Sequence, residues 1–231
     1  MVRLIIMGPA GSGKGTQGKV ISQKYGVPVI STGSLLREKA SVGDELGKQI
    51  NDLITKGMIV PIDIITKILY DRLASEDCKN GFILDGFPRT VEQAIDLEKF
   101  LNNNNINING VLVLNVSRDI VIKRMSGRFE CKNCKTMYNK FYKNTTKEGI
   151  CDVCGSTEFF VRNDDANIDA INKRLDIYEE MSNTIIEYYN KKNLIYNIDA
   201  VKSIDNISQD IDNIITNYIN KWKMRGESWL E

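Results

Sequence analysis

The segment Gly8-Pro-Ala-Gly-Ser-Gly-Lys-Gly-Thr16 constrains this chain more than any other. It follows an apolar run at residues 2–7 and precedes an amphipathic stretch at 14–25, so a strand, a glycine-rich turn and a helix are expected in that order. The spacing is G-x-x-x-x-G-K-x-T. Glycines at 8, 11, 13 and 15 let backbone N–H groups curl inward, and the positive end of the following helix adds to them, which makes a cradle for phosphate. Ser12 lies inside the loop, and Lys14 can reach the outer phosphates of a triphosphate. The Thr16 hydroxyl suits Mg²⁺ or a phosphate oxygen. A bare glycine turn is the alternative, and the strand–loop–helix context argues against it.

The rest of the chain repeats the alternation. Short Val/Ile/Leu-rich runs at 2–7, 28–30, 81–84, 110–116 and 194–198 read as strands. Between and after them, residues 14–25, 34–39, 45–55, 64–73, 91–101, 118–125, 168–191 and 207–223 read as helices. Apolar strands separated by helices imply a parallel sheet covered on both faces, hence a doubly wound α/β fold of about five strands. Residues 128–165 break the rhythm and show no helical period, so they read as an inserted minidomain.

Composition narrows the chemistry. The chain contains no histidine, which removes the commonest general base and metal ligand. A formal net charge of +1 gives no global field to recruit nucleic acid or an acidic membrane. No apolar run approaches the roughly 18 residues of a membrane span. The sequence runs from Met1 straight into an apolar strand with no room for a signal or transit peptide, so a cytoplasmic location is expected, with the mitochondrial matrix as the alternative. The asparagine-rich tract at 102–109 reads as an exposed loop.

Cys131-x2-Cys134 and Cys151-x2-Cys154 lie within the inserted segment. Two such knuckles can close four thiolates around one Zn²⁺ in a shell with no open position, which makes the metal structural. Two disulfides or spare thiols are the rival reading, and an intracellular chain disfavours disulfides. Cys78 has no partner in sequence and reads as inert.

Two further motifs, Ser31-Thr32-Gly33-Ser34-Leu-Leu-Arg37 and Asp85-Gly86-Phe87-Pro88-Arg89-Thr90, each follow a predicted strand and each supply one arginine suited to a phosphate. Asp85 ends its strand where a carboxylate can hold the water shell of Mg²⁺. Around the insert stand Lys123-Arg124-Met-Ser-Gly127-Arg128 before it, then Arg162-Asn163-Asp164-Asp165 and Asn172-Lys173-Arg174-Leu175. With the phosphate loop and the cysteines, these motifs resemble the adenylate kinase family, long zinc-binding lid type, nearly end to end.

The resemblance implies a P-loop core at 1–30, 61–127 and 166–231, an AMP-binding flap at 31–60 and a zinc lid at 128–165. Thr32, Arg37, Gly86, Arg89 and Gln93 would hold AMP, with Met58 and Val60 against its adenine. Arg128, Arg162 and Arg174 would surround the transferring phosphates, the latter two also on the AMP side. Arg124 would stack on the donor base, with Lys202 nearby, and Asp164 and Asp165 would latch the lid. One departure is Ser34, where the family commonly has Asp, and another is Ala200, where it commonly has Gly.

The activity implied is Mg²⁺-dependent transfer of a phosphoryl group from ATP to AMP by a monomer, without nucleic-acid or membrane partners. GTP as donor is the nearest alternative, and the turn at 199–202 keeps it open. Three other readings fit less well. A UMP/CMP kinase usually has a short lid without cysteines. A P-loop switch protein would need an N-K-x-D base motif, where this chain offers Asn115-Val-Ser-Arg118. A zinc-ribbon nucleic-acid module could use Tyr138, Phe141 and Tyr142, but no basic excess supports it. Trp222 and Trp229 lie in a tail beyond the usual end of the family pattern.

Overall fold

Six residues of nearly unbroken apolar character, Val2–Met7, form β1, and β1 takes the centre of a five-stranded sheet. A computed structural model of the chain describes residues 1–55, 60–161, 165 and 167–224. The sheet runs β2 (Val29–Ser31), β3 (Gly81–Asp85), β1, β4 (Gly110–Asn115), β8 (Ile195–Asp199), and every neighbouring pair is parallel. Register places Ile5 between Leu84 and Val111, all fully buried. A central strand flanked by parallel neighbours meets no water on either face, which is why these strands carry apolar residues without alternation.

The helices are α1 (Lys14–Tyr25), α2 (Thr32–Ser41), α3 (Glu45–Thr55), α4 (Ile62–Leu73), α5 (Val91–Asn103), α6 (Arg118–Ser126), α7 (Ile168–Asn190) and α8 (Ile204–Met224). The expected element order holds throughout. Most boundaries move by one to three residues, because caps and strand pairing, rather than periodicity, set the ends. The clearest addition is at 128–165. There, in the segment read as an inserted minidomain without helical period, three short strands that the sequence did not single out, β5 (Arg128–Cys131), β6 (Met137–Asn139) and β7 (Phe159–Phe160), form an antiparallel sheet in the order β6-β5-β7. Strands of two to four residues are too short to show a period.

The chain divides into two compact units. The first comprises Met1–Gly8, Gly13–Asn115 and Met181–Glu231, and the second Pro9–Ser12 and Val116–Glu180. In the first, Ile5, Met7, Phe82, Leu84, Val111 and Val113 point to one face of the sheet, where Leu69, Leu97, Ile185 and Tyr189 cover them. The opposite face is reached by α1, whose Gly18 lies close enough to Val29 and Ile6 that an added Cβ would touch both. Helix α8 is tied to α1 by Gln17 Nε2 donating to Ile204 O at 3.0 Å and by the Lys24–Asp212 ion pair at 2.7 Å.

In the second unit, α6 packs on the first half of α7 through Val121, Met125, Ile171 and Leu175, all buried. Arg118 staples the two helices by donating to Asn172 and pairing with Asp176 at 2.8 Å and Glu179 at 3.2 Å. The inserted sheet has a small aromatic core of Phe129, Tyr138 and Phe159, with ring centroids 5.4–5.8 Å apart, packed against Cys131 and Cys151.

Candidate active site and metal centre

Parallel strands end together, so the turns that follow β1, β2 and β3 emerge along one edge of the sheet. Ile6 pairs with Asp85 and Ser31 with Asp85, which brings the start of the Gly8 loop, Thr32 and Gly86 to that edge. This is the edge at which open α/β sheets take ligands.

At the end of β1, Lys14 opens α1 and folds back so that Nζ donates to Gly8 O at 2.7 Å. Thr16 N and Gln17 N both donate to Gly13 O at 3.0 Å. The amides of Lys14 and Gly15 stand in the helix's first turn, where the ladder has no earlier carbonyl to offer. In the second unit the loop segment Pro9–Ser12 closes on itself, with Ser12 N donating to Pro9 O at 3.1 Å. Gly11 has φ +82°, and a Cβ there would lie 2.8 Å from Met125 Cγ, so glycine is required on both counts. The Ser12 hydroxyl is buried and has no hydrogen-bond partner among the described residues.

Thr32, Gly86, Arg89 and Gln93 form one hydrogen-bonded chain. Thr32 Oγ1 donates to Gly86 O at 3.0 Å, and Arg89 Nε donates to the same carbonyl at 2.9 Å. Arg89 N in turn donates to Gln93 Oε1 at 2.7 Å. Gln93 is buried and fixed from below, since its own N–H donates to Thr90 Oγ1 at 3.1 Å in the N-cap of α5. Gly86 has φ +83°, and a Cβ on it would sit 3.1 Å from Thr32 Oγ1 and 3.4 Å from an Arg89 Nη, so a side chain would wedge the group apart. Arg37 lies back over the first turn of its helix, donating to Ser34 Oγ at 3.3 Å. Ser34 therefore serves as a partner of this arginine. Sequence reading marked Thr32, Gly86, Arg89 and Gln93 singly, but it missed that Thr90 and one shared carbonyl lock them into a unit.

Val60 is buried, one residue ahead of the Pro61 N-cap of α4. Met58, the other residue expected against the adenine, lies outside the described residues, as do Arg162, Asp164 and Trp229. Trp222 lies in α8. Asp85 is half-buried at the end of β3, and Thr16 is exposed in the first turn of α1. Both offer oxygen, the donor type Mg²⁺ takes. Lys202 is ion-paired with Asp210 at 2.6 Å, and that hydrogen bond raises its pKa. Ala200 is fully buried, its N–H donating to Asn115 O at 2.9 Å.

In the second unit one carboxylate organises two arginines. Arg128 Nε donates to Asp165 Oδ2 at 2.6 Å, and Arg174 Nη1 donates to Oδ1 at 3.2 Å. The Asp165 carboxylate is fully buried, so this pairing is strong and directional. Asp165, expected from the sequence only in a lid latch, thus bonds both Arg128 and Arg174, a pairing that the sequence did not reveal. Arg124 donates through Nη1 to Ser12 O at 3.4 Å.

The four lid cysteines converge, and their Sγ atoms all lie within 4.8 Å of one another. Cys131 and Cys154 are 3.6 Å apart and Cys134 and Cys151 3.5 Å. A tetrahedron with Zn–S bonds of about 2.3 Å has edges of about 3.8 Å, so the cluster fits zinc. These separations are far beyond the roughly 2.05 Å of a disulfide, which removes that alternative. The two knuckles share one backbone pattern. Lys135 N donates to Cys131 O and Gly155 N to Cys151 O, and Cys131 N and Cys151 N donate to Thr136 O and Ser156 O. Tyr138 supports the cluster, with Oη 3.3 Å from Cys151 Sγ and accepting from Asp152 N at 2.8 Å. The metal centre is therefore structural. Cys78 is buried apart from the cluster, in the first unit.

A glycine loop between the central strand and α1, ligand turns on one sheet edge, and a four-thiolate insert define a P-loop nucleotide-binding enzyme with a zinc lid. Comparison with known proteins takes this one step further. The family model for adenylate kinase matches residues 6–194. Adenylate kinases of Caldicellulosiruptor bescii and Thermodesulfovibrio yellowstonii are each 44% identical over 194 residues, covering 84% of this chain and 89% of theirs. That of Archaeoglobus fulgidus is 41% identical over 195 residues, with the same coverage. The chain belongs to the adenylate kinase family.

Proposed function

We propose that this protein transfers the γ-phosphoryl group of Mg-ATP reversibly to AMP, giving two ADP. The observation that carries the reading is the linked Thr32–Gly86–Arg89–Gln93 group on the same sheet edge as the Lys14 loop. The loop offers one phosphate cradle, and the linked group beside it presents an arginine, held to backbone, that suits a second phosphate. That the relatives are adenylate kinases supports ATP as the donor.

The roles follow from the donor types. Amides of the Gly8–Thr16 loop and Lys14 hold the ATP phosphates. The buried, unpaired Ser12 hydroxyl supports a bound acceptor in that loop. Thr32, Arg37, Arg89 and Gln93 hold AMP, with Met58 and Val60 against its base and Gly86 giving it room. Arg128, Arg162 and Arg174 are assigned to the charge of the transferring group, and Arg124 and Lys202 to the donor base side. Asp164 is assigned with Asp165 to the lid latch. Mg²⁺, when bound through Thr16 and the water shell of Asp85, supplies charge neutralisation on the triphosphate.

An AMP phosphate oxygen is already anionic near neutral pH, so it attacks without a general base. Positioning and electrostatic stabilisation then supply the rate, which suits a chain without histidine. Residues 31–60 are assigned as the AMP-binding flap and 128–165 as the zinc-binding lid, which together exclude water, with the core at 1–30, 61–127 and 166–231. The protein is taken to act as a cytoplasmic monomer on free nucleotides, without nucleic-acid or membrane partners. Among the described residues no helix is long and apolar enough to cross a membrane.

The test is phosphotransfer from Mg-ATP and Mg-GTP to AMP, CMP, UMP and GMP, with products separated chromatographically. ATP with AMP should be the fastest pair and yield ADP alone. Faster turnover with GTP would reassign the donor. Failure of every pair with folded, zinc-loaded protein would end the kinase reading.

A further inference from the structure

The second unit carries two large exposed aromatic side chains side by side, Phe141 at 56% and Tyr142 at 54% exposure, at the tip of a tight hairpin. Exposed neighbouring rings need a reason, and their surroundings supply one. The Tyr142 ring centroid lies 5.6 Å from Arg124 Cζ, and Lys123 Nζ stands 5.6 Å from the Phe141 ring and 6.0 Å from the Tyr142 ring. Two consecutive cations of α6 therefore face two consecutive rings, at separations where cation–π attraction operates.

The hairpin holding the rings is itself pinned to α6. Asn139 N donates to Lys143 O, and Lys143 N donates to Asn139 O, which closes the turn. The Asn139 carboxamide works in both directions: Nδ2 donates to Arg124 O at 2.6 Å, while Oδ1 accepts from Phe141 N at 2.9 Å and Tyr142 N at 3.2 Å. Lys140 N adds a bond to Gly127 O at 2.8 Å. At Gly127 a Cβ would lie 2.6 Å from the Phe141 ring, so the close approach depends on glycine. The backbone of Arg124 is thus bonded to the loop whose ring meets its own guanidinium, and Ser12 O takes Nη1.

We propose that Tyr142 is a positioning residue for donor-nucleotide recognition: its ring, set by Asn139, holds the Arg124 guanidinium in the plane that stacks on the donor base. This rests on the assignment of Arg124 to the donor base made above. A guanidinium on a flexible stem is a poor platform for a purine, because each encounter must first freeze its rotamers. Held edge-on by a carbonyl and face-on by a ring, it meets the base already oriented. The hairpin thereby serves donor affinity as well as lid packing, and its effect on the AMP side should be nil.

The experiment compares Tyr142→Leu, Tyr142→Phe, Arg124→Ala and the Arg124→Ala/Tyr142→Leu double variant in the zinc-loaded full chain. ATP and AMP affinities are measured separately by calorimetry and as KM values. Tyr142→Leu should raise the ATP Kd and KM about threefold, the scale of one exposed cation–π contact. The AMP Kd, kcat, zinc content and Tm should be unchanged. Tyr142→Phe, which keeps the ring, should behave as the parent, and the double variant should be no worse than Arg124→Ala. A purely structural hairpin would instead change Tm or zinc content, or change both nucleotides' affinities alike.

Three results would overturn the proposal. They are an unchanged ATP Kd in Tyr142→Leu while Arg124→Ala weakens ATP, an equal loss in Tyr142→Phe, or additive losses in the double variant. An unchanged ATP Kd in Arg124→Ala would instead withdraw the donor-base assignment on which the proposal stands.

Discussion

Arg89 and Asp165 show how single side chains are made to serve charge. Arg89 is held at its Nε by Gly86 O and at its backbone by Gln93, so its guanidinium is fixed with little help from packing. Arg89→Ala should therefore lower kcat by about a thousandfold, the scale reported for arginines that stabilise a transferring phosphoryl group, with Tm close to that of the parent. Steady-state kinetics beside a thermal melt decide it, and near-parental turnover would sink the assignment. Asp165 is the opposite case. Its buried carboxylate answers two arginines, so Asp165→Asn should leave Arg128 and Arg174 facing one another without their counter-charge and cost about 3 kcal/mol. Chemical denaturation would read the loss, and an unchanged midpoint would show that the arginines find water instead.

Among the elements, the zinc insert depends most on something outside the polypeptide. Its three strands are two to four residues long and its apolar core is three rings and the ligand cysteines themselves. So small a core does not hold a fold unaided, and metal binding supplies folding free energy. Cys131→Ser should lose zinc on dialysis and lower Tm, checked by metal analysis and calorimetry; full zinc retention would overturn the four-thiolate centre.

The element order was legible in the sequence because periodicity and punctuation agreed. The P-loop and the cysteine knuckles were legible because few chemistries use those residues at those spacings. The lid sheet was not, since strands this short carry no period. Neither was the Asn139 pin, which joins residues from two elements through a carboxamide that reads, in sequence, as one more asparagine.

Across the whole molecule, acid stability follows from carboxylates paired across elements. Lys192 and Tyr188 hold the Glu98 carboxyl below its ordinary value, and Lys24 and Tyr25 do the same for Asp212. A carboxylate whose pKa is lowered on folding contributes stability above its unfolded value near 4, and loses it as pH falls through the folded value. Tm should therefore decline progressively below about pH 4, with no histidine titration superimposed on that limb. Glu98→Gln should flatten that acid limb in a pH series of melts, and an unaltered limb would place the acid sensitivity elsewhere.

By itself the sequence determined the parallel α/β order, the phosphate loop and the zinc ligands. Each rests on local rules: apolar runs that must be buried on both faces, glycines that must turn, thiolates at knuckle spacing. What only the tertiary structure decided is the company each charge keeps. Gly86 O serves both Thr32 and Arg89, Asp165 serves both Arg128 and Arg174, and Tyr142 faces Arg124. Thr32 with Gly86 and Arg128 with Asp165 join residues far apart in the chain, and the geometry of a charge depends on which partners the packed elements bring within hydrogen-bonding reach.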